Sequence, residues 1–314
     1  MGSGIHVAEA YDHTMRFGIS VTSSHVVDDH RVGARWMVER AAAARDAGLD
    51  HLSLGDGHVT ATPYYQGVPM LGRMLAEWDA SRPAGCYFLL PLWNPVLVAE
   101  QVATLATMLE APFILQASVG SGPERFDGMG GDLRTRGRDL DESIRVIKAL
   151  LAGESVDSDR FAVKRASIAP MPPRPVEWWI GASAPVALRR AAREADAWYA
   201  GPHITSEQAT VAFDIYRGAC EAAGRPARSV RRRDVLVLND GDRARTIGQE
   251  MVAAGYRGMG LDQVAVGGVA EVTEVLAGDL DAGFDDIAVR CMSPDQAVAL
   301  ETIELCGEIR VALD

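Results

Sequence analysis

The chain has 314 residues, 48% of them hydrophobic, and a formal charge of -12. That is enough apolar material for one large core, and too acidic a surface to favour nucleic acid or an anionic membrane as partner. No apolar run reaches the roughly 18 residues needed to span a bilayer.

Residues 1–14 have no apolar stretch of their own and read as an N-terminal extension or tag, ahead of a single domain over 15–314. Strands and helices then alternate. Arg16 to Val21 reads as a first strand, and Gly33 to Ala47 as a helix stopped by Gly48, a residue suited to a left-handed helix end. Strand two is Asp50 to Leu54, and a short helix covers Met70 to Trp78. Strand three is Gly85 to Leu90. A helix from Pro95 repeats Val98, Val102, Leu105 and Leu109 on one face. Strand four, Pro112 to Ser118, runs into a glycine-rich loop, and Leu140, Ile144, Ile147 and Leu151 stripe the next helix.

The segment from Gly153 to Pro175 reads as an inserted hairpin. Strand five is Val176 to Ile180, with a helix over Leu188 to Ala195. Strand six is Ala197 to Ala200, followed by a helix from Ser206 to Ala223. Strand seven is Asp234 to Leu238, with a helix from Arg243 to Ala254 and an insertion reaching Gly283. Strand eight is Asp286 to Arg290, and Pro294 to Leu313 closes the chain as a helix.

Strands each followed by a helix predict an α/β fold of the (β/α)8 TIM-barrel type with insertions. The rival is an open doubly wound sheet, which usually brings a nucleotide fingerprint. No Gly-x-Gly-x-x-Gly is present, and neither Lys148 nor Lys164 follows a phosphate-loop glycine pattern. In a barrel the C-terminal strand ends carry the chemistry. That puts Asp56 and His58, in the stretch GDGHVT, on the active face. It puts Arg231, Arg232 and Arg233, ahead of strand seven, on the opposite face as a solvated charge run. His25 and His30 flank Asp28 and Asp29, but no His-x-His pair ends strand one, so a metal hydrolase is not expected. Cys86, Cys220, Cys291 and Cys306 have no metal-binding spacing and read as buried free thiols of a reducing cytoplasm.

Four segments, in order, resemble the bacterial-luciferase-like oxidoreductases: LLPLWNPVLVAEQVATL, PFILQASVGSGPERF, RGRDLDESIRVIKALLAGESV and PMPPRPVEWWIGASAPVALRRAAREADAWYAGP. The likeness covers roughly residues 15 to 225, and VGGVAEVTEVLAGDLDAGFDDIAV extends it more weakly. It implies a flavoprotein-type barrel that holds a flavin or deazaflavin at its C-terminal strand ends. The leading expectation is a luciferase-like monooxygenase using reduced FMN and O2, with a separate flavin reductase, on a small organic substrate. The alternatives are hydride transfer with the deazaflavin coenzyme F420, and a non-catalytic luciferase-like barrel subunit. A homodimer is the assembly considered.

The resemblance also implies roles. Where the family often has two adjacent histidines, this chain has Gly57 and His58. His58 would then exchange a proton, with Asp56 orienting it, and Gly57 would open room for substrate. Leu89 and Leu90 stand where an irregular peptide would press on the ring. Gln116, Ser118 and Gly120 would meet its polar edge. Gly181, Ala182 and Ser183, with Ser183 as helix cap, would take the cofactor phosphate. Gly267-Gly268 is a competing anion site. Tyr64, Tyr65, Trp93 and Trp179 would wall the pocket. Arg125, Arg134, Arg136 and Arg138 belong to a loop that would clamp an acidic tail or form a lid.

Overall fold

The computed structural model describes residues 14–314, so the proposed N-terminal arm lies, but for its last residue, outside the described residues. The elements are β1 (Phe17–Val21), α1 (His30–Asp46), β2 (Leu52–Leu54), α2 (Gly67–Met74), β3 (Ala84–Phe88), α3 (Pro95–Ala106), β4 (Phe113–Ala117), α4 (Pro123–Met129) and α5 (Arg136–Leu151). The inserted hairpin follows as β5 (Val156–Ser158) and β6 (Val163–Ala166). Then come β7 (Glu177–Gly181), α6 (Pro185–Glu194), β8 (Ala197–Ala200), α7 (Ser206–Ala222), β9 (Ser229–Val237), α8 (Gly241–Ala253), β10 (Val264–Gly267), α9 (Val269–Asp281), β11 (Asp286–Cys291) and α10 (Gln296–Leu313).

The strands β1, β2, β3, β4, β7, β8, β9 and β11 pair in parallel, in that order, and β11 closes the ring on β1. Three features depart from the sequence reading. The glycine-rich loop after β4 contains α4, the insertion before β11 contains β10, and β9 starts at Ser229 rather than Asp234. β10 pairs with the Asp234–Val237 half of β9, above the point where β8 pairs with Ser229–Arg231 on the same edge.

Period-two alternation makes two cores. Outward side chains such as Phe17, Ile19, Leu52, Phe113, Leu115 and Ile180 pack under the helices. Inward ones, among them Ile114, Trp179, Ala197, Tyr199, Val230 and Ala288, fill the barrel. Trp179 is therefore a wholly buried filler, edge-on to His51 with ring centroids 5.0 Å apart, and not the pocket wall expected of it. Gly18 makes room for that histidine: a Cβ on Gly18 would lie 2.3 Å from His51 Cγ. All four cysteines are buried and free. Among the described residues no helix is long and apolar enough to cross a membrane.

The N-terminal end of the barrel is closed by charge pairing. Arg16 donates to Glu177 at 2.9 and 2.7 Å and to Asp286 at 2.8 Å, and Arg228 reaches Asp286 at 3.2 Å. Burial would push the Glu177 carboxyl up; the Arg16 guanidinium overrides it and holds the group at about 2. Above this layer, burial and then Arg16 push His51 down to about 4. His51 is thus neutral in the folded chain at pH 5, where an unfolded histidine, with a pKa near 6.5, is protonated. The unfolded state binds the extra proton, so stability falls as pH drops from about 6.5 toward 4. We expect His51 to contribute on the order of 3 kcal/mol to that loss. Urea unfolding at pH 7 and pH 4.5 should show a clearly smaller difference in His51→Gln than in the parent; equal differences would refute the assignment.

Candidate active site

The end of β2 is organised by one carboxylate. Asp56, with 3% of its side chain exposed, accepts the Leu89 N–H at 2.8 Å and the Trp93 Nε1–H at 2.9 Å through Oδ2. It thereby ties the end of β2 to the end of β3. Its other oxygen lies 3.0 Å from His58 Nε2, but that buried ring nitrogen makes no aligned hydrogen bond. His58 packs edge-on against Trp93, centroids 5.2 Å apart, and its carbonyl accepts Arg125 Nε–H of α4 at 3.3 Å. Asp56 and His58 thus stand side by side at the end of β2.

Gly57 does not open space. A Cβ there would meet the Tyr64 ring at 3.0 and 3.1 Å, and one on Gly55 would meet the Tyr64 hydroxyl at 3.0 Å. The ring of Tyr64 lies across both glycines and occupies the room the sequence reading left for substrate. Its loop is pinned to the end of β1: Ser24 Oγ donates to Pro63 O at 2.9 Å and Tyr65 N–H to Ser23 O at 2.8 Å. Tyr65 turns the other way, its hydroxyl donating to His30 O at 2.6 Å against α1, outside the barrel. The expectation that Tyr65 lines the pocket is corrected accordingly.

On the next strands, Leu89 and Leu90 are buried and continue into a trans 3-10 turn over Leu90–Leu92. Leu89, with φ -79° and ψ 70°, leaves regular strand geometry and packs on Leu92 and Phe126 beneath α4. Gln116 faces into the barrel by alternation with Ile114, is 1% exposed, and its Nε2 has no partner. An unsatisfied buried amide is costly and invites an acceptor. Ser118 Oγ accepts the Gly120 N–H at 3.4 Å. Gly181 lies against the Tyr87 hydroxyl, 2.6 Å from where a Cβ would sit.

The cap of α6 is Ala184, not Ser183, and no side chain accepts its first-turn N–H groups. The Ala182 carbonyl accepts Trp198 Nε1–H at 2.9 Å, which fixes the turn. The competing turn differs: Glu271 Oε2 already accepts the Gly268 N–H at 2.8 Å. Of the two helix starts, only that of α6 is open to an anion. In the lid region Arg125 reaches His58, Arg134 pairs with Asp132 at 3.0 Å, and Arg136 donates to Leu133 O.

The charge run Arg231–Arg233 is not on the far face. It lies within β9, and alternation splits it. Arg231 and Arg233 point outward, where Arg233 donates twice to Asp279 at 2.7 Å. Arg232 points inward and donates to Asp234 Oδ1 at 2.7 Å. Asp234 Oδ2 accepts the Tyr256 hydroxyl at 2.8 Å and Arg257 Nη1–H at 2.9 Å, while Arg290 stands beside Asp234 in register on β11. Burial would push the Asp234 carboxyl up; Arg232, Arg290 and Arg257 reverse this and hold it below the usual range. None of these five side chains was singled out from sequence as a site residue. No local signal marked them, because the four consecutive charges from Arg231 to Asp234 mask any strand periodicity.

The sequence profile of the luciferase-like monooxygenases matches residues 15–278. An uncharacterised protein of Mycobacterium tuberculosis is 32% identical over 114 residues, 36% of this chain and 39% of that protein. An F420-dependent glucose-6-phosphate dehydrogenase of Tsukamurella paurometabola is 28% identical over 183 residues, 52% of each chain. The chain thus spans about two fifths and one half, respectively, of the length of these two relatives. The crystal structure of the monooxygenase RslO1 from Streptomyces bottropensis superposes with a TM-score of 0.78 at 18% identity, covering 95% of this chain and 99% of that one, a likeness of fold.

The contact of Tyr64 on Gly57 is open to test. Gly57→His should cost about 1–3 kcal/mol, because the new side chain and the Tyr64 ring compete for one volume. Adding Tyr64→Ala should recover most of that loss. Urea unfolding of the single and double variants measures it, and strict additivity of the two changes would mean that they do not touch.

Proposed function

The chain belongs to the luciferase-like monooxygenase family of (β/α)8 barrel oxidoreductases, and from that premise we propose that it is a deazaflavin-dependent enzyme working by hydride transfer at the C-terminal mouth of its barrel. The observation that carries this choice is the lining of the mouth. An oxygenating site is best served by a dry apolar pocket. Here Asp56, Asp234, Arg232 and Arg290 converge with the phenols of Tyr64 and Tyr256. Buried charge of this kind suits a polar substrate and a proton transfer better than exclusion of water. The F420-dependent dehydrogenase relative agrees with the reading, and the RslO1 likeness, being one of fold alone, does not oppose it.

The residues present fit such a cofactor. The open N-terminus of α6 behind Gly181-Ala182-Ser183 would hold its phosphate. The orphaned amide of Gln116 would meet a ring acceptor. A bound deazaflavin supplies a two-electron hydride donor or acceptor. Asp56 holds the imidazole from its Nε2 side while remaining tied to Leu89 and Trp93, and His58 takes up or returns the accompanying proton at the ring nitrogen that does not face Asp56. Trp93 shields the pair from one side. Arg125 and α4 hold the His58 backbone in place, just before Val59, whose φ of 50° marks the turn away from the site.

Anaerobic titration with reduced deazaflavin and, separately, with reduced FMN tests the reading. We expect at least tenfold tighter binding of the deazaflavin. Ala182→Glu should raise its dissociation constant by about tenfold to a hundredfold, on the order of 1–3 kcal/mol from a lost charged contact plus repulsion. His58→Ala should leave it within about threefold while lowering turnover by about 10²–10⁴. Binding of FMN alone would replace this reading with the monooxygenase one, and binding of neither would favour a non-catalytic barrel.

A further inference from the structure

The two ends of the barrel interior differ in their charge balance. At the N-terminal end the guanidiniums of Arg16 and Arg228 meet the carboxylates of Glu177 and Asp286. At the mouth, Arg232, Arg257 and Arg290 surround the single carboxylate of Asp234. Asp234 is already saturated, since it accepts from Arg232, Tyr256 and Arg257. Arg290 faces Asp234 but makes no hydrogen bond or close ion pair to a carboxylate among the described residues, and its Nε donates to the hydroxyl of Thr22 at 3.2 Å. The Nε of Arg232 is buried without a partner. Asp56, across the mouth, is committed to Leu89, Trp93 and His58.

Three like charges gathered in a partly dehydrated site, within a chain of net charge -12, call for an anion from outside. The other groups facing them offer none. Burial pushes the Tyr256 phenol up to about 12 and keeps those of Tyr87 and Tyr199 protonated as well. His203 is held toward its neutral form by burial and then by Arg257 and Arg232. Arg257 adds a backbone observation. It sits at φ 51°, in the left-handed region that non-glycine residues rarely adopt, in the short turn Tyr256–Gly258. A strained residue that directs a guanidinium into a barrel mouth is the kind of feature found at ligand clamps.

We propose that Arg232, Arg257 and Arg290 form an oxyanion-binding half of the mouth, and that the substrate carries a carboxylate or phosphate held there, opposite His58. Guanidinium forks match both groups with paired, charge-assisted hydrogen bonds. Tyr64 packs on Gly55 and Gly57 at the end of β2, and its loop is pinned to Ser23 and Ser24, next to the Thr22 hydroxyl that accepts from Arg290. The substrate would therefore be anchored by its anionic end on β9 and β11 and present its reacting end toward β2. Calling the anion a substrate rests on the cofactor reading above; the anion site itself does not.

The test is isothermal titration of the full chain, without cofactor, with inorganic phosphate and with succinate in a chloride-free buffer. We expect one saturable site. Arg290→Gln and Arg257→Gly should each weaken it at least tenfold, while Arg31→Gln, exposed at the start of α1, should not change it. Glycine tolerates the backbone angle at 257, so Arg257→Gly keeps the test valid if Arg290→Gln melts early. Deazaflavin and FMN affinities are measured on the same proteins. Unchanged anion binding in both variants, or none in the parent, overturns the proposal. Parallel loss of anion and cofactor affinity also overturns it, by assigning the arginines to the cofactor's own phosphate. Loss of anion binding with cofactor affinity kept within threefold supports it. Loss of anion binding where the parent binds neither cofactor supports the anion site and sinks the cofactor reading instead.

Discussion

The strand β9 is the member on which the rest of the barrel depends. One edge pairs with β11, and the other is divided between β8 below and β10 above. Closing the ring requires β9 to run as regular extended backbone through Arg231-Arg232-Arg233, and a regular strand must send alternate side chains to opposite faces. Three consecutive arginines therefore cannot share one surface. The two outward ones anchor α9 through Asp279 and take the Gly201, Ile204 and Asp262 carbonyls. The inward one enters the mouth beside Asp234. A strand-closure requirement thus becomes an electrostatic feature of the site.

The opposite wall is built on a different economy of space. At the end of β2 an acid, a glycine and a histidine emerge together. The acid is used twice, once to staple β3 and once to face the histidine. The glycine is flat because Tyr64 lies on it. The mouth therefore has a proton-handling side on β2 and a cationic side on β9 and β11. The layer of Trp179, Ile114, Ala197, Val230 and Ala288 seals it from below. That seal, and the ion pairs under it, isolate the mouth from the far end of the barrel. Charge at the mouth is consequently not neutralised by charge at the base.

The alternation of strands and helices, the stripes on α3 and α5, the inserted hairpin and the emergence of Asp56 and His58 on the active face were legible in the chain itself. Each rests on short-range regularities: period two, period 3.6, a glycine stop, a proline start. The family membership was legible for the same reason, because its segments are contiguous runs. What short-range reading lost were elements whose local composition contradicts their environment. Arg231–Arg233 reads as a solvated charge run because burying arginine is unfavourable unless partners wait for it, and those partners, Asp279 and the carbonyls after β8, are distant in sequence. Trp179 and Tyr65 look alike as pocket aromatics until the barrel decides which points inward and how deep.

By itself, then, the sequence determined the barrel, the family and the strand ends that face the chemistry, since these follow from periodicity and local caps. Only the tertiary structure decided what fills the space above Gly57, which helix start is left open to an anion, and that three arginines from β9, β11 and the turn at Tyr256–Gly258 meet around Asp234. The physical reason is common to all three. Occupancy of a volume, saturation of a donor and balance of charge depend on groups brought together by ring closure, and no local pattern encodes which groups those are.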